Sequence, residues 1–163
     1  MKVEDLMTRS VGTCRPTDTL SSAAQLMWER DCGCVPVVSD EGSNRVVGML
    51  TDRDICMAAH FRGAWPGALP VGQVMSKAVR TIGPLETPAD AEAAMCDSQV
   101  RRLPVVDEDE RLLGLISLAD LARAAVRESA SKKKKPEITE KGVAETLEAI
   151  CSVRTPRQAA VSA

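Results

Sequence analysis

Apolar positions along the chain fall into two rhythms, helical and continuous, and the whole succession of rhythms occurs twice. Leu20, Ala23, Ala24 and Met27 recur at i, i+3, i+4 and i+7, one stripe on a helix predicted over Thr19–Arg30. Two unbroken apolar runs follow, Cys34–Val38 and Val46–Leu50, parted by the polar stretch Glu41-Gly42-Ser43-Asn44. They read as buried strands joined in a hairpin. A closing helix is predicted over Asp52–Phe61, and a brief strand around Val11–Cys14, ended by Pro16, precedes the set. The pattern then returns: a strand around Val79–Ile82 ended by Pro84, and a helix capped by Thr87 with Pro88 at its first position, running to about Ser98. Ala91, Ala94 and Met95 form its inward stripe; strands Leu103–Val106 and Leu112–Ile116 and a helix Leu118–Glu128 complete a second β-α-β-β-α unit.

The identity of residues follows the rhythm. Val3-Glu4-Asp5-Leu6-Met7-Thr8 returns as Val71-Gly72-Gln73-Val74-Met75-Ser76, and Val35-Pro36-Val37-Val38 as Leu103-Pro104-Val105-Val106, both 68 residues on (Met7 to Met75, Pro36 to Pro104). The glycine-led corners are 66 apart (Gly48 to Gly114), so the first copy carries two extra residues in its polar turn, where an insertion is tolerated. A unit of roughly 60 residues buries little surface alone. Two units packed sheet to sheet and sharing one core are therefore expected: an α/β (α+β) fold, with units at 1–64 and 65–128 and a tail at 129–163. In the tail, Lys132–Lys135 reads as a solvated linker. Thr139–Cys151 reads as one more helix with Val143, Leu147 and Ile150 on its apolar face, Gly142 counting against it. Whether that helix covers the module or a partner is open. Residues 155–163 read as frayed.

Composition narrows the function classes. Of 163 residues, 44% are hydrophobic and 27% charged, which is globular, and a net charge of −2 argues against a general polyanion binder. Trp28, Trp65 and Phe61 are the only aromatics, too few for a surface that stacks nucleic-acid bases; a planar ligand would lie between aliphatic side chains. Apolar runs fall well short of the roughly 20 residues that span a bilayer, and no apolar signal region follows Met1. A cytoplasmic location, with six reduced cysteines, is the expectation.

The candidate chemistry sits in two corners, Gly48-Met49-Leu50-Thr51-Asp52-Arg53-Asp54 and Gly114-Leu115-Ile116-Ser117-Leu118-Ala119-Asp120. Each leads from a buried strand into a helix start, where unpaired N–H groups and the helix dipole favour an anion. Thr51 and Ser117 offer hydroxyl donors, and Asp54 and Asp120 offer carboxylates able to accept ribose hydroxyls. The same spacing is also that of a capping box, which needs no ligand, and the two roles are compatible. Arg53 in the first corner, and Arg101 and Arg102 before the second copy's strand, supply charge; the arginine pair predicts that the second corner takes phosphate-rich ligands. Cys32-Gly33-Cys34 raises a metal or redox alternative, against which stand a single histidine, His60, and no second spaced cysteine pair. No catalytic triad and no Walker-type loop is present, so an enzyme is not expected.

The doubled Asp5-Leu6-Met7-Thr8 and Val74-Met75-Ser76 segments, the Val-Pro-Val-Val and Leu-Pro-Val-Val strands and the two corners together resemble a tandem CBS-domain pair, or Bateman module, over about residues 1–127. That resemblance implies one module with two symmetry-related clefts, a homodimer, and a regulatory, non-catalytic role as sensor of adenosine-containing ligands such as AMP, ADP, ATP, NAD or S-adenosylmethionine. It implies that ribose is held by Asp54 and Asp120, and phosphate by Thr51 and Ser117. The adenine would lie against Val35-Pro36 or Leu103-Pro104, its edge read near Val11–Thr13 or Val79–Thr81. An effector protein would read the signal; a ligand-free scaffold whose corners are only caps is the alternative.

Overall fold

The structure, a computed structural model of the chain, describes residues 1–131 and 136–153. The readings of Lys132–Lys135 as a linker and of residues 155–163 as frayed fall outside the described residues. In the first unit, helix α1 (Val3–Leu6) is followed by α2 (Leu20–Glu29), strands β1 (Cys34–Val38) and β2 (Val46–Thr51), and helix α3 (Asp52–Arg62). Short 3-10 turns at Pro66–Ala68 and Val71–Gln73 lead to α4 (Pro88–Ser98), β3 (Arg102–Val106), β4 (Leu112–Ser117), α5 (Leu118–Ala130) and α6 (Glu140–Cys151). Thr87 caps its helix as predicted, accepting from the Asp90 N–H; Thr19, read as the first helical residue, is likewise a cap, accepting from the Ser22 N–H.

Each unit's hairpin is antiparallel, and both carry a bulge at the same place, between Val37 and Val38 and between Val105 and Val106. The strands expected at Val11–Cys14 and Val79–Ile82 are reduced to single parallel bridges, Cys14 to Val37 and Ile82 to Val105. Pro16 and Pro84 follow within two residues, and a proline cannot donate to a ladder.

The two units interlock. Thr8 of the first unit pairs with Leu115 on β4, exchanging N–H···O bonds of 2.9 Å in both directions. Ser76 of the second unit pairs in the same way with Met49 on β2. Each lead-in segment thus edges the sheet of the other unit. Their apolar side chains follow: Val3 and Met7 sit in the second unit's hydrophobic cluster, and Val71 and Met75 in the first's. Among the described residues the buried side chains form these two exchanged clusters rather than one shared core. The corner glycines are explained by the exchange. A Cβ on Gly114 would stand 2.7 Å from the Thr8 carbonyl oxygen and 2.8 Å from Met7 Sδ; one on Gly48 would stand 2.5 Å from Met75 Sδ and 3.1 Å from the Ser76 oxygen. A third join, at the hairpin tips, links Val46 N–H to Glu110 O (3.0 Å) and Leu112 N–H to Asn44 O (2.9 Å).

Helix α6 lies against α4 and α5 of the second unit, with Ile138, Thr146 and Ile150 buried and Val143 partly so. Leu147, expected inward, is exposed, and Thr146 takes its place.

Candidate functional site

Both corners are built as reciprocal caps. Thr51 N–H and Thr51 Oγ1 donate to Asp54 Oδ2 (2.9 and 2.7 Å), and Asp54 N–H donates back to Thr51 Oγ1 (3.1 Å). Ser117 and Asp120 repeat this pattern atom for atom. The hydroxyl protons of Thr51 and Ser117 are therefore already spent on their own carboxylates. The first-turn amides of α3 are engaged too: Asp52 N–H on Gly33 O (3.1 Å) and Arg53 N–H on Asp52 Oδ1 (2.7 Å). At the first corner the hydroxyl and these first-turn amides, from which a phosphate contact was expected, thus all have partners within the chain.

The two carboxylates differ in what is left over. Asp120 is buried, and its second oxygen, Oδ1, accepts from Arg123 Nη2. On Asp54, half-buried, no hydrogen bond among the described residues engages Oδ1. The equivalent of Arg123 on α3 is Met57, 66 residues earlier, which cannot donate. So the first corner keeps one acceptor oxygen open, and the second keeps none.

That open corner faces a cavity of about 990 Å³ between the units, at the upper end of the range of small-molecule sites. Thr51, Arg53 and Asp54 line it from the first unit; Val79, Arg80, Arg101, Arg102 and Pro104 line it from the second. The arginine pair expected at the second corner thus lines the cavity at the first corner's face. Of the other expected positions, Val11, Thr13, Val35, Pro36, Thr81, Leu103, Ser117 and Asp120 do not line it; Val35 and Leu103 are core residues, 1% and 0% exposed. Arg80 lies within the Val79–Thr81 stretch expected to read the base edge but was not itself singled out. Also missed was the far wall, made by the end of α6, Ile150 to Val153. There Gln99 Nε2 donates to Ala149 O (3.3 Å) and Ser152 O (3.1 Å), and Arg101 Nη2 lies 3.6 Å from Cys151 Sγ.

The cysteines give the metal and redox alternative little support. Burial pushes the Cys34 thiol up, only partly opposed by the nearby Arg102 guanidinium, and pushes Cys14 up to about 12. A buried neutral thiol is a poor nucleophile and a poor metal ligand. Among the described residues no group of three or more His, Cys, Asp or Glu side chains is placed to hold a metal ion.

Comparison with known proteins agrees with this architecture. The CBS domain family matches residues 3–60 and again residues 71–127. The CBS domain-containing protein YhcV of Bacillus subtilis is 41% identical over 120 residues, 74% of this chain and 82% of its own length. Hypoxic response protein 1 of Mycobacterium tuberculosis is 31% identical over 148 residues, 91% of this chain and 92% of its own. A crystal structure of Hypoxic Response Protein I with two coordinated zinc ions superposes with a TM-score of 0.68 at 33% identity, covering 76% of this chain and 98% of that one. CBSX2, solved in complex with AMP, gives a TM-score of 0.67 at 24% identity, over 78% of this chain and 98% of that one, a likeness of fold. On the doubled match across both units, the chain belongs to the CBS domain family and carries the domain as a tandem pair.

Proposed function

We propose that the chain is a regulatory, non-catalytic module that binds an adenine nucleotide, or a related adenosyl ligand, in the cleft at the first corner. The observation that carries this reading is the open Asp54 oxygen on a cavity with four arginines from both units. Asp54 Oδ1 accepts a ribose hydroxyl. Val79, Pro104 and Met49 give the base an aliphatic slot. Arg53, Arg80, Arg101 and Arg102 meet the phosphates, through charge-assisted bonds that guanidinium groups make in pairs. CBSX2, of the same fold, is solved with AMP, which supports this ligand class. Because the cleft takes residues from both units, a ligand that prefers one arrangement of them shifts the population toward it. An effector protein reads the shift, in the cytoplasm, and pairing of two copies as a homodimer belongs to the same proposal. Asp120, with both oxygens engaged, serves the fold, so one ligand per chain is expected rather than two.

A thermal-shift panel of AMP, ADP, ATP, NAD and S-adenosylmethionine tests the reading. A ligand at 100 times its Kd adds about 2.7 kcal/mol, which for a chain of this length is a rise of about 5–10 °C. No rise with any of the five leaves a scaffold whose corners are only caps.

A further inference from the structure

Helix α6 lies beyond the residues matched as CBS domain, which end at 127. Its body packs on α4 and α5, while its end, Ile150 to Val153, reaches the wall of the cleft. Side chains that line the cavity also hold that end in place. Gln99 Nε2 donates to Ala149 O and Ser152 O at 3.3 and 3.1 Å, and Arg101 Nη2 donates to Cys151 Sγ at 3.6 Å. The first unit offers an internal comparison. Gln99 and its counterpart Asp31, 68 residues earlier, share a left-handed backbone, φ 48° in both. The turn is kept and the donors are not: Asp31 and Gly33 stand where Gln99 and Arg101 stand, and neither side chain donates to a carbonyl. The donors occur where α6 docks.

Arg101 has a fixed stem and a loose head. Its carbonyl accepts the Leu118 N–H at 3.0 Å, which pins its backbone to the start of α5, while the residue itself is exposed. A free arginine side chain samples many rotamers and loses that freedom on meeting a phosphate. Docked α6 removes part of this cost in advance. A helix C-terminus carries partial negative charge, and this end, with the Cys151 sulfur, draws the guanidinium to the cleft wall. Sulfur is a weak acceptor, and the contact uses one N–H of a fork that has others to give to a phosphate.

We propose that α6 is a positioning element of the cleft: its carbonyl end holds the Arg101 guanidinium where a ligand phosphate meets it, so that phosphate binding and α6 docking favour one another. By linkage the effect is reciprocal. A helix in place strengthens binding, and a bound phosphate strengthens the hold on the helix. Occupancy of a cleft between the units is thereby felt along the whole of α6, on the outer side of the second unit. The inference rests on the nucleotide reading of the cleft and adds to it how the tail regulates that site.

The test uses the full chain, with AMP, ADP and ATP as probes in calorimetric titration. Thr146 is buried on α6 and does not line the cavity, so Thr146→Asp loosens docking without touching the site. It is expected to weaken the tightest-binding probe at least fivefold. Arg101→Ala is expected to weaken the same probe, and Thr146→Asp added to it to cost less than twofold more, because the two changes act through one guanidinium. Hydrogen exchange reads the reverse direction. At saturation with that probe, the amides of residues 143–147, which lie away from the cavity, are expected to exchange at least fivefold more slowly in the wild type and within twofold of the unliganded rate in Arg101→Ala. Arg101 is exposed, so this comparison decides the matter even if Thr146→Asp does not fold. Additive losses in the double variant, exchange in α6 that is unchanged or faster on binding, or equal slowing in wild type and Arg101→Ala overturns the proposal and leaves the nucleotide reading standing. Binding of none of the three probes overturns both.

Discussion

Replacing Gly114 by alanine probes the exchange of lead-in segments, on which the cleft depends. The new Cβ would stand 2.7 Å from a backbone oxygen, Thr8 O, which itself accepts the Leu115 N–H at 2.9 Å. Backbone cannot swing aside as a side chain can, so relief requires lifting the Thr8 segment off β4. Overpacking of this kind costs about 1–3 kcal/mol, and weakening the bridge adds about 0.5–1.5 kcal/mol; about 3 kcal/mol together, or a Tm lowered by about 6–12 °C. Gly48→Ala meets a softer neighbour. Its nearest contact is Met75 Sδ at 2.5 Å, the far end of a flexible side chain, with Ser76 O further off at 3.1 Å. About 1 kcal/mol, or about 2–4 °C, is expected. The double variant Gly48→Ala with Met75→Ala removes the clash that Gly48→Ala creates, so the second change should cost less in that background than alone. Met7→Ala should give Gly114→Ala little relief, because Thr8 O remains. Calorimetric unfolding of the four singles and two doubles reads this directly. Equal losses at the two glycines, or equal relief by the two methionine changes, would refute the reasoning.

Further outcomes follow from the two corners and the tail. Met57→Arg places on α3 the cation that Arg123 supplies on α5, so it should occupy Asp54 Oδ1 and weaken nucleotide binding at least tenfold in calorimetric titration, with Tm unchanged or raised. Arg123→Met should leave nucleotide affinity intact and lower Tm by a few degrees, since it strips a partner from the buried Asp120. Glu92, on α4 opposite α6, has a buried oxygen without a partner, and its carboxyl is pushed up by burial and then by Glu145. A carboxyl raised in the folded state favours folding most when protonated. Stability should therefore fall as pH rises from below the ordinary glutamate range through the raised one, and Glu92→Gln should flatten that fall in a Tm-against-pH series. A thiol reagent at pH 8 should label the exposed Cys56 and Cys151 before the buried Cys14 and Cys34, which should wait for unfolding.

Much of the fold was legible because it is written twice. The stripe Leu20, Ala23, Met27 and its echo Ala91, Ala94, Met95 are buried as their spacing predicts, and the hairpins pair in one shared register. The exchange was not legible, because periodicity reports which face of an element is apolar and not which unit covers it. A local signal was nonetheless present: Met7-Thr8 and Met75-Ser76 keep company with Gly114 and Gly48, and a strand glycine marks close approach of another backbone. The site divides in the same way. The capping box was visible at both corners; that it spends the hydroxyls follows only from the donor geometry. The inequality of Asp54 and Asp120 was within reach, since Arg123 stands three residues after Asp120 where Met57 follows Asp54, a spacing at which helix side chains meet. That Arg101 and Arg102 line the cavity at the opposite unit's corner depends on how the units cross, which no single stretch encodes.

The most direct measurement of the central claim is calorimetric titration of AMP into the wild type, Asp54→Asn and Asp120→Asn. One site per chain is predicted, weakened at least tenfold by Asp54→Asn and little changed by Asp120→Asn. Two equal sites, or a loss confined to Asp120→Asn, would contradict the assignment of the cleft to the first corner.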